Sequence, residues 1–268
     1  MGHTLTHKLD IEKLRTLLDG RSYGHTIQHH MLTHSTQDIA AQLLREGAAD
    51  GLLVLAESQT AGRGRHGRAW FSPEGTGIYM SVLLKARVPG RYAPQLTIVA
   101  AAALCRVLRR LTDIDIRMKW PNDLYAEDRK ISGILIESYT EAGKNRFILG
   151  AGISVNVLQE QYPEWLQDKA TSLRALTGKE WDRERIIADF LTELDALIEL
   201  YLSEGFRVFR TIWETYAWAP QHPIDMDTPR GIIRVRQHAI DEDGALVVQL
   251  EDGSYMTVYS GSMSVDRS

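Results

Sequence analysis

A glycine- and arginine-rich stretch, Q-T-A-G-R-G-R-H-G-R at residues 59–68, follows closely on the apolar run G-L-L-V-L-A at residues 51–56. A short apolar run of this kind reads as a buried strand, here one that feeds a ligand loop. Gly62, Gly64 and Gly67 alternate with Arg63, Arg65 and Arg68 within seven residues. Glycine lets the backbone adopt positive φ and approach a ligand closely. Guanidinium forks and exposed backbone N–H groups both bind phosphate and carboxylate oxygens. The nearest acids in sequence are Glu57 and Glu74, too few to satisfy three arginines locally. A solvated basic turn would explain the charges but not the glycines between them. The stretch is therefore read as a loop that wraps a phosphorylated or carboxylated ligand. It lacks the order G-x-x-x-x-G-K-[ST], so it is not a P-loop.

The rest of the chain limits what such a loop can belong to. With 268 residues there is room for one large domain, or one domain and a small appendage. The net charge of -4 excludes a nucleic-acid-binding polycation, so the basic loop is a local feature. The single cysteine, Cys105, allows no internal disulfide and sits in an apolar run, where a buried inert thiol is expected. No apolar stretch reaches the roughly 18 residues needed to span a bilayer. The N-terminus lacks the apolar core of a secretory signal, so a cytoplasmic protein without membrane attachment is expected. His25, His29 and His30 lack the helical spacing with a third ligand that a zinc site needs. No G-x-S-x-G elbow marks a nucleophilic serine.

The hydrophobic pattern divides the chain into three parts. Residues 1–24 form a polar N-terminal extension with one short helical pattern through Leu9, Leu14, Leu17 and Leu18. Residues 25–220 form the main domain. There, S-T-Q-D at 35–38 precedes a helical pattern, and Ser35 or Thr36 reads as its N-cap. Strands are expected at 51–56, 77–85, 114–120, 133–139 and 147–155, and helices at 94–111 and 182–204. Residues 221–268 show only short β patterns, separated by turn signals at 241–244 and 251–253. They suit a small β-barrel, with Pro220 and Pro223 at the junction. The fold expected is α+β: a mixed sheet with helices on one side, then the barrel.

Two further motifs carry charge. K-W-P-N-D at residues 119–123 is a strand end and a proline-fixed turn. It reads equally as a plain Asx-turn, as an ion pair of Lys119 with Asp123, or as part of a site. D-R-K-I-S-G-I-L at residues 128–135 is a charged hairpin tip followed by a strand. Gly133, three residues after Lys130, would leave an open backbone position beside one inward lysine.

In order and spacing, these motifs resemble the biotin protein ligase family. The likeness includes W-F-S-P at 70–73, G-A-G-I at 150–153 and A-T-S-L at 170–173, and runs over roughly residues 30–265. It implies the mixed sheet shared with class II aminoacyl-tRNA synthetases and a C-terminal barrel of the Src-homology-3 type. It also implies ATP and Mg²⁺ as cosubstrates, biotin as substrate and a biotin carboxyl carrier protein as partner. The chain would act as a monomer or homodimer. Biotinyl-5′-AMP would form first, and biotin would then pass to a carrier lysine. Carried over residue by residue, Ser35, Thr36, Gln59, Gly62, Arg63, Tyr79, Ser81, Lys130, Gly133, Gly150 and Gly152 would bind biotin. Arg63, Arg65, Arg68, Trp70, Lys119, Asn122, Asp123, Lys130 and Asn156 would bind the nucleotide. Lys130, Arg65, Lys119 and Asp123 would be the catalytic set. No protein-only metal site is implied; Mg²⁺ would arrive with ATP, near Asp123.

Three positions depart from the family pattern. His34-Ser35-Thr36-Gln37 stands for D-S-T-N, Ser154 replaces the first asparagine of G-I-N-V-N, and Ser262 replaces an acid. The resemblance is to monofunctional ligases, without an N-terminal DNA-binding domain or a repressor role. Three rivals stand beside it, the weakest a nucleic-acid-binding module built on the basic loop, which the net charge of -4 and the missing helix-turn-helix oppose. A lipoate-type ligase would show an R-x-G-G-G motif followed by H-D, absent here. A non-catalytic biotin or biotinyl-AMP sensor could dispense with Lys130 and Asp123, which are present.

Overall fold

The structure, a computed structural model, describes residues 8–141, 143–218, 223–228 and 231–264. Seven strands make one mixed sheet: β1 (Ile27–His30), β2 (Leu53–Ala56), β3 (Gly77–Leu83), β4 (Arg117–Lys119), β5 (Asp123–Ala126), β6 (Arg129–Glu141) and β7 (Lys144–Ser154). Their order is β1-β2-β3-β7-β6-β5-β4. β1 and β2 run parallel and the other neighbours antiparallel. The helices are α1 (Ile11–Leu17), α2 (Thr36–Arg45), α3 (Ala93–Thr112), α4 (Glu164–Gln167), α5 (Leu173–Thr177), α6 (Arg183–Glu204) and α7 (Arg207–Tyr216).

Side-chain alternation along β2 sets the layering. Leu53 and Leu55 point into a large core, while Leu52 and Val54 point into a smaller one. Helices α1, α3, α6 and α7 cover the large core, where Leu14, Leu104, Leu194 and Phe209 are fully buried. Helix α2 covers the other face through Ala40, Ala41 and Leu44, packed with Val54, Leu83 and Ile148. Helices thus lie on both faces of the sheet, not on one side as expected. The reason is that β2 is apolar on both faces and the stripe on α2 is needed to cover the second.

Residues 8–24 are stitched to this body. Leu9, Leu14, Leu18 and Tyr23 join the large core, and the Leu9 N–H donates to buried Glu57 at 2.6 Å. Cys105 is fully buried on α3, and burial pushes its thiol up to about 12. Among the described residues, no helix is long and apolar enough to cross a membrane.

The C-terminal strands are β8 (Ile224–Thr228), β9 (Gly231–Ile240), β10 (Leu246–Gln249), β11 (Tyr255–Val258) and β12 (Ser262–Ser264). They form a five-stranded antiparallel sheet in the order β11-β10-β9-β8-β12. The turns expected at 241–244 and 251–253 are its β9–β10 and β10–β11 connections. Among the described residues no ladder joins β11 to β12, so the expected barrel is present as an open sheet. Ile224, Met226, Val235 and Leu246 continue the large core. The Trp120 indole N–H donates to Gly244 O at 3.0 Å, binding this sheet to the K-W-P-N-D turn. Pro220 lies outside the described residues.

Candidate active site

On the α2 face, the central strands meet at a serine and three glycines. Ser81 of β3 is in register with Gly150 of β7, and Gly152 of β7 with Gly133 of β6. A trough results, and a Cβ on any of these glycines would meet something seated in it. At Gly152 it would lie 2.4 Å from the Trp70 indole, and at Gly150 2.6 Å from Gln37 Oε1. The glycine–arginine loop covers the trough, and one cavity lies between them.

The loop is a small hairpin. Gly64 N–H donates to Arg68 O at 2.7 Å and Trp70 N–H to Gly62 O at 2.8 Å. Its tip uses positive φ at His66 (56°) and Gly67 (71°). Of the three glycines, Gly67 therefore serves φ and Gly62 serves space, since a Cβ there would lie 2.7 Å from Gln59 Nε2. Arg63 does find carboxylates, contrary to the count of nearby acids. It pairs with Asp38 of α2 and approaches Glu137 of β6 at 3.5 Å. Those acids are distant in sequence, which local counting cannot see. Burial opposes the Arg63 charge, but the two carboxylates outweigh it and raise its pKa above the ordinary value. Arg63 thus ties the loop to the sheet and α2. Arg65 differs: burial lowers its pKa, only partly offset by the field of Asp123.

A polar network lies below the loop. Ser35 caps α2, as expected. Thr36 donates from N (2.8 Å) and Oγ1 (3.2 Å) to Gln59 Oε1. Ser81 Oγ is 2.9 Å from both Thr36 Oγ1 and Gln37 Oε1. Gln37 Nε2 donates to Glu137 at 3.0 Å and to Ile148 O at 3.3 Å. Sequence reasoning named neither Gln37 nor Glu137 as a site residue. The signals were there: Gln37 follows Ser35-Thr36, and Glu137 shares the Gly133 face by the strand period of two.

The cations come from the far strands. Lys130 Nζ sits 2.7 Å from Asp123 Oδ1 and 5.3 Å from the centre of the Trp70 ring. Its backbone is held at the start of the A-T-S-L segment, with Lys130 N–H donating to O of Lys169, the residue just before it, and Thr171 N–H to Lys130 O. Lys119 is buried, its Nζ 4.2 Å from the Tyr125 ring and 4.4 Å from the Trp218 ring. Asn122 clamps its turn to β6, donating from Nδ2 to Ile134 O at 2.8 Å.

Of the residues named from the sequence, Ser35, Thr36, Gln59, Arg63, Arg65, Arg68, Trp70, Ser81, Lys119, Asn122, Asp123, Lys130, Gly133, Gly150 and Gly152 line the one cavity. Three others lie elsewhere. Gly62 belongs to the base of the loop hairpin and does not line the cavity. Tyr79 is buried, donating its hydroxyl to Pro73 O at 2.9 Å. The Asn156 side chain exchanges two 2.9 Å hydrogen bonds with the backbone of Trp181 and acts as a tie. Ser154 is buried at the end of β7, opposite Gly77. The side chain of Ser262 lies outside the described residues. Among the described residues, no group of three His, Cys, Asp or Glu side chains is placed to hold a metal. Asp123 is the one carboxylate among those lining the cavity.

Residues 30–154 match the biotin/lipoate A/B protein ligase family, and residues 223–266 match the biotin protein ligase C terminal domain. The bifunctional ligase/repressor BirA of Bacillus subtilis is 34% identical over 259 residues, 96% of this chain and 79% of that relative. The chain belongs to the biotin protein ligase family. A biotin–[acetyl-CoA-carboxylase] ligase from Mycobacterium tuberculosis is 35% identical over 196 residues, 71% of each chain. The biotin protein ligase from Aquifex aeolicus, solved with biotin and ATP, superposes with a TM-score of 0.77 at 30% identity. That match covers 91% of this chain and all of the Aquifex one.

Proposed function

We propose that this ligase couples biotin to ATP and passes the biotinyl group to a lysine of a biotin carboxyl carrier domain. The observation that carries the reading is the convergence of Arg65, Arg68, Lys119 and Lys130 on one glycine-floored trough. In the first step a carboxylate oxygen attacks the α-phosphorus and the bond to the β-phosphate bridging oxygen breaks. Two anions must meet, so fixed positive charge in a poorly hydrated cavity stabilises the transition state most. Lys130, steered by Asp123, faces the α-phosphate; Arg65 and Arg68 close over it from the loop. Thr36, Gln59 and Ser81 offer the donors and acceptors that a ureido ring needs. In the second step a neutral lysine amine attacks the acyl carbon and AMP leaves.

Asp123 suits Mg²⁺ brought in with the nucleotide, because that ion is commonly held by one or two carboxylates plus phosphates. When bound, it would neutralise the pyrophosphate leaving group. Trp70, lying on Gly133 and Gly152, would close the loop over the mixed anhydride and keep water out.

The test is to incubate the protein with biotin, MgATP and a carrier domain and weigh the intact carrier. One biotin per carrier supports the reading. Biotin binding without transfer would replace it with a sensor role, and transfer of lipoate instead would replace it with the lipoate-type activity. Lys130→Ala should abolish adenylate formation with biotin affinity changed by less than about tenfold.

A further inference from the structure

We propose that Trp218 is a positioning residue for Lys119, forming with Tyr125 a two-ring cradle that holds this ammonium toward the cavity. The inference rests on the function proposed above and deepens it. Trp218 falls between the two segments that match the family, yet it is only 5% exposed. Its ring centre lies 5.8 Å from that of Tyr125, at an interplanar angle of 47°. The Lys119 ammonium contacts both rings, at 4.4 and 4.2 Å, in a setting that leaves the residue 8% exposed. An ammonium drawn out of water loses hydration, and aromatic faces repay part of that loss. The rings themselves add no negative charge beside the ammonium.

The cradle is itself braced from three directions. Trp218 N–H donates to Met118 O at 2.8 Å, fixing the ring beside β4, the strand that bears Lys119. The indole N–H donates to Asp128 Oδ1 at 2.8 Å, in the turn just before Lys130. Gln237 of β9 donates to Trp218 O at 3.0 Å. One residue therefore joins the strand of Lys119 and the C-terminal sheet through its backbone and the turn that leads to Lys130 through its indole. Swinging that sheet away would loosen the cradle, giving it a part in setting the site.

The test compares Trp218→Leu, which keeps an apolar side chain, with Trp218→Phe, which keeps an aromatic face. Two readouts are taken on each full-length protein: biotin-dependent pyrophosphate release with MgATP, and acetylation of Lys119 by acetic anhydride mapped by peptide mass. Trp218→Leu should lower kcat about 30-fold with KM for biotin within about twofold, and acetylate Lys119 about tenfold faster. Trp218→Phe should stay within about threefold of wild type in both, despite losing the bond to Asp128. Equal effects of Leu and Phe would show a packing role only and overturn the proposal, as would wild-type kcat in the leucine variant. If Trp218→Leu does not fold, Tyr125→Leu against Tyr125→Phe makes the same comparison from the other ring. Should wild type release no pyrophosphate, the proposed function fails, while the acetylation pattern still decides whether the cradle holds Lys119.

Discussion

Gly152→Ala probes how the loop is held over the trough. A Cβ at this position would lie 2.4 Å from Trp70 Cε2, 2.6 Å from Nε1 and 2.8 Å from Cζ2. Ordinary carbon contacts need about 3.5–4.0 Å, so the ring must retreat by more than about 1 Å. The ring also lies over Gly133, its Cζ3 3.2 Å from where a Cβ would stand, so it spans both glycines. The indole therefore lifts. A tryptophan buries about 150–250 Å² when packed. If roughly 100 Å² of that returns to water at about 25 cal/mol per Å², the closed loop loses about 2.5 kcal/mol. The open fraction then rises about 70-fold. The loop carries Arg63, Arg65 and Arg68, so trypsin reads its opening directly. When opening is fast relative to cleavage, the cleavage rate tracks the open population. Cleavage after Arg65 or Arg68 should accelerate about 70-fold in Gly152→Ala, with the melting temperature lowered by about 5–10 °C. Gly133→Ala should show only a few-fold effect, since its contacts begin at 3.2 Å and two are with the flexible end of Lys130. Unchanged cleavage in Gly152→Ala would refute the view that Trp70 latches the loop onto this glycine.

Three other outcomes can be checked. Glu57 is fully buried against Arg183 at 2.9 Å, His29 at 2.9 Å and the Leu9 N–H, so Glu57→Gln should destabilise the protein by about 3 kcal/mol in urea. A loss below about 1 kcal/mol would show that the pair contributes little. Gly150→Ala places a Cβ 2.6 Å from Gln37 Oε1 and should weaken biotin binding; Gln37→Asn, one methylene shorter, should restore it in the double variant. No restoration in calorimetry would mean the clash is not relieved through Gln37. Cys105 should resist iodoacetamide at pH 8 and react only in denaturant; its pKa is raised by burial from 9.0 to about 12. The folded state favours the neutral thiol, so this group's stabilisation is complete below about pH 9 and declines as pH rises toward about 12. Rapid native labelling would contradict the burial.

Much of the site was legible because its chemistry is written in short runs. The loop, the Lys130–Gly133 spacing and the Ser35 cap each depend on near neighbours, and each occurs where the pattern places it. Partners across the sheet were not legible. Asp38 and Glu137 reach Arg63 from 25 residues before it and 74 after it, and no local rule ranks them above Glu57 or Glu74. Asn156 reads as a binding residue by its place in a motif, but its amide is matched to the Trp181 backbone across a turn. The position of α2 was misjudged for a related reason. A run such as L-L-V-L is apolar at every position, so it has no alternation to show that both faces need covering.

The charges around the cavity are not equivalent, and the difference suits a reaction between two anions. Arg63 is tied to Asp38 and faces Glu137, so its field is largely spent on holding the loop. Lys130 has one carboxylate, Asp123, which an incoming phosphate must share or displace. Lys119 rests on two aromatic faces. Arg65 has no carboxylate within ion-pair distance among the described residues, and burial lowers its pKa below the ordinary guanidinium value. An anion bound beside Arg65 would therefore relieve an unfavourable desolvation rather than compete with an existing partner. Since Arg65 rides on the loop, the same anion would draw the loop shut, so under the proposed function closure would be driven by the charge that the closed site stabilises.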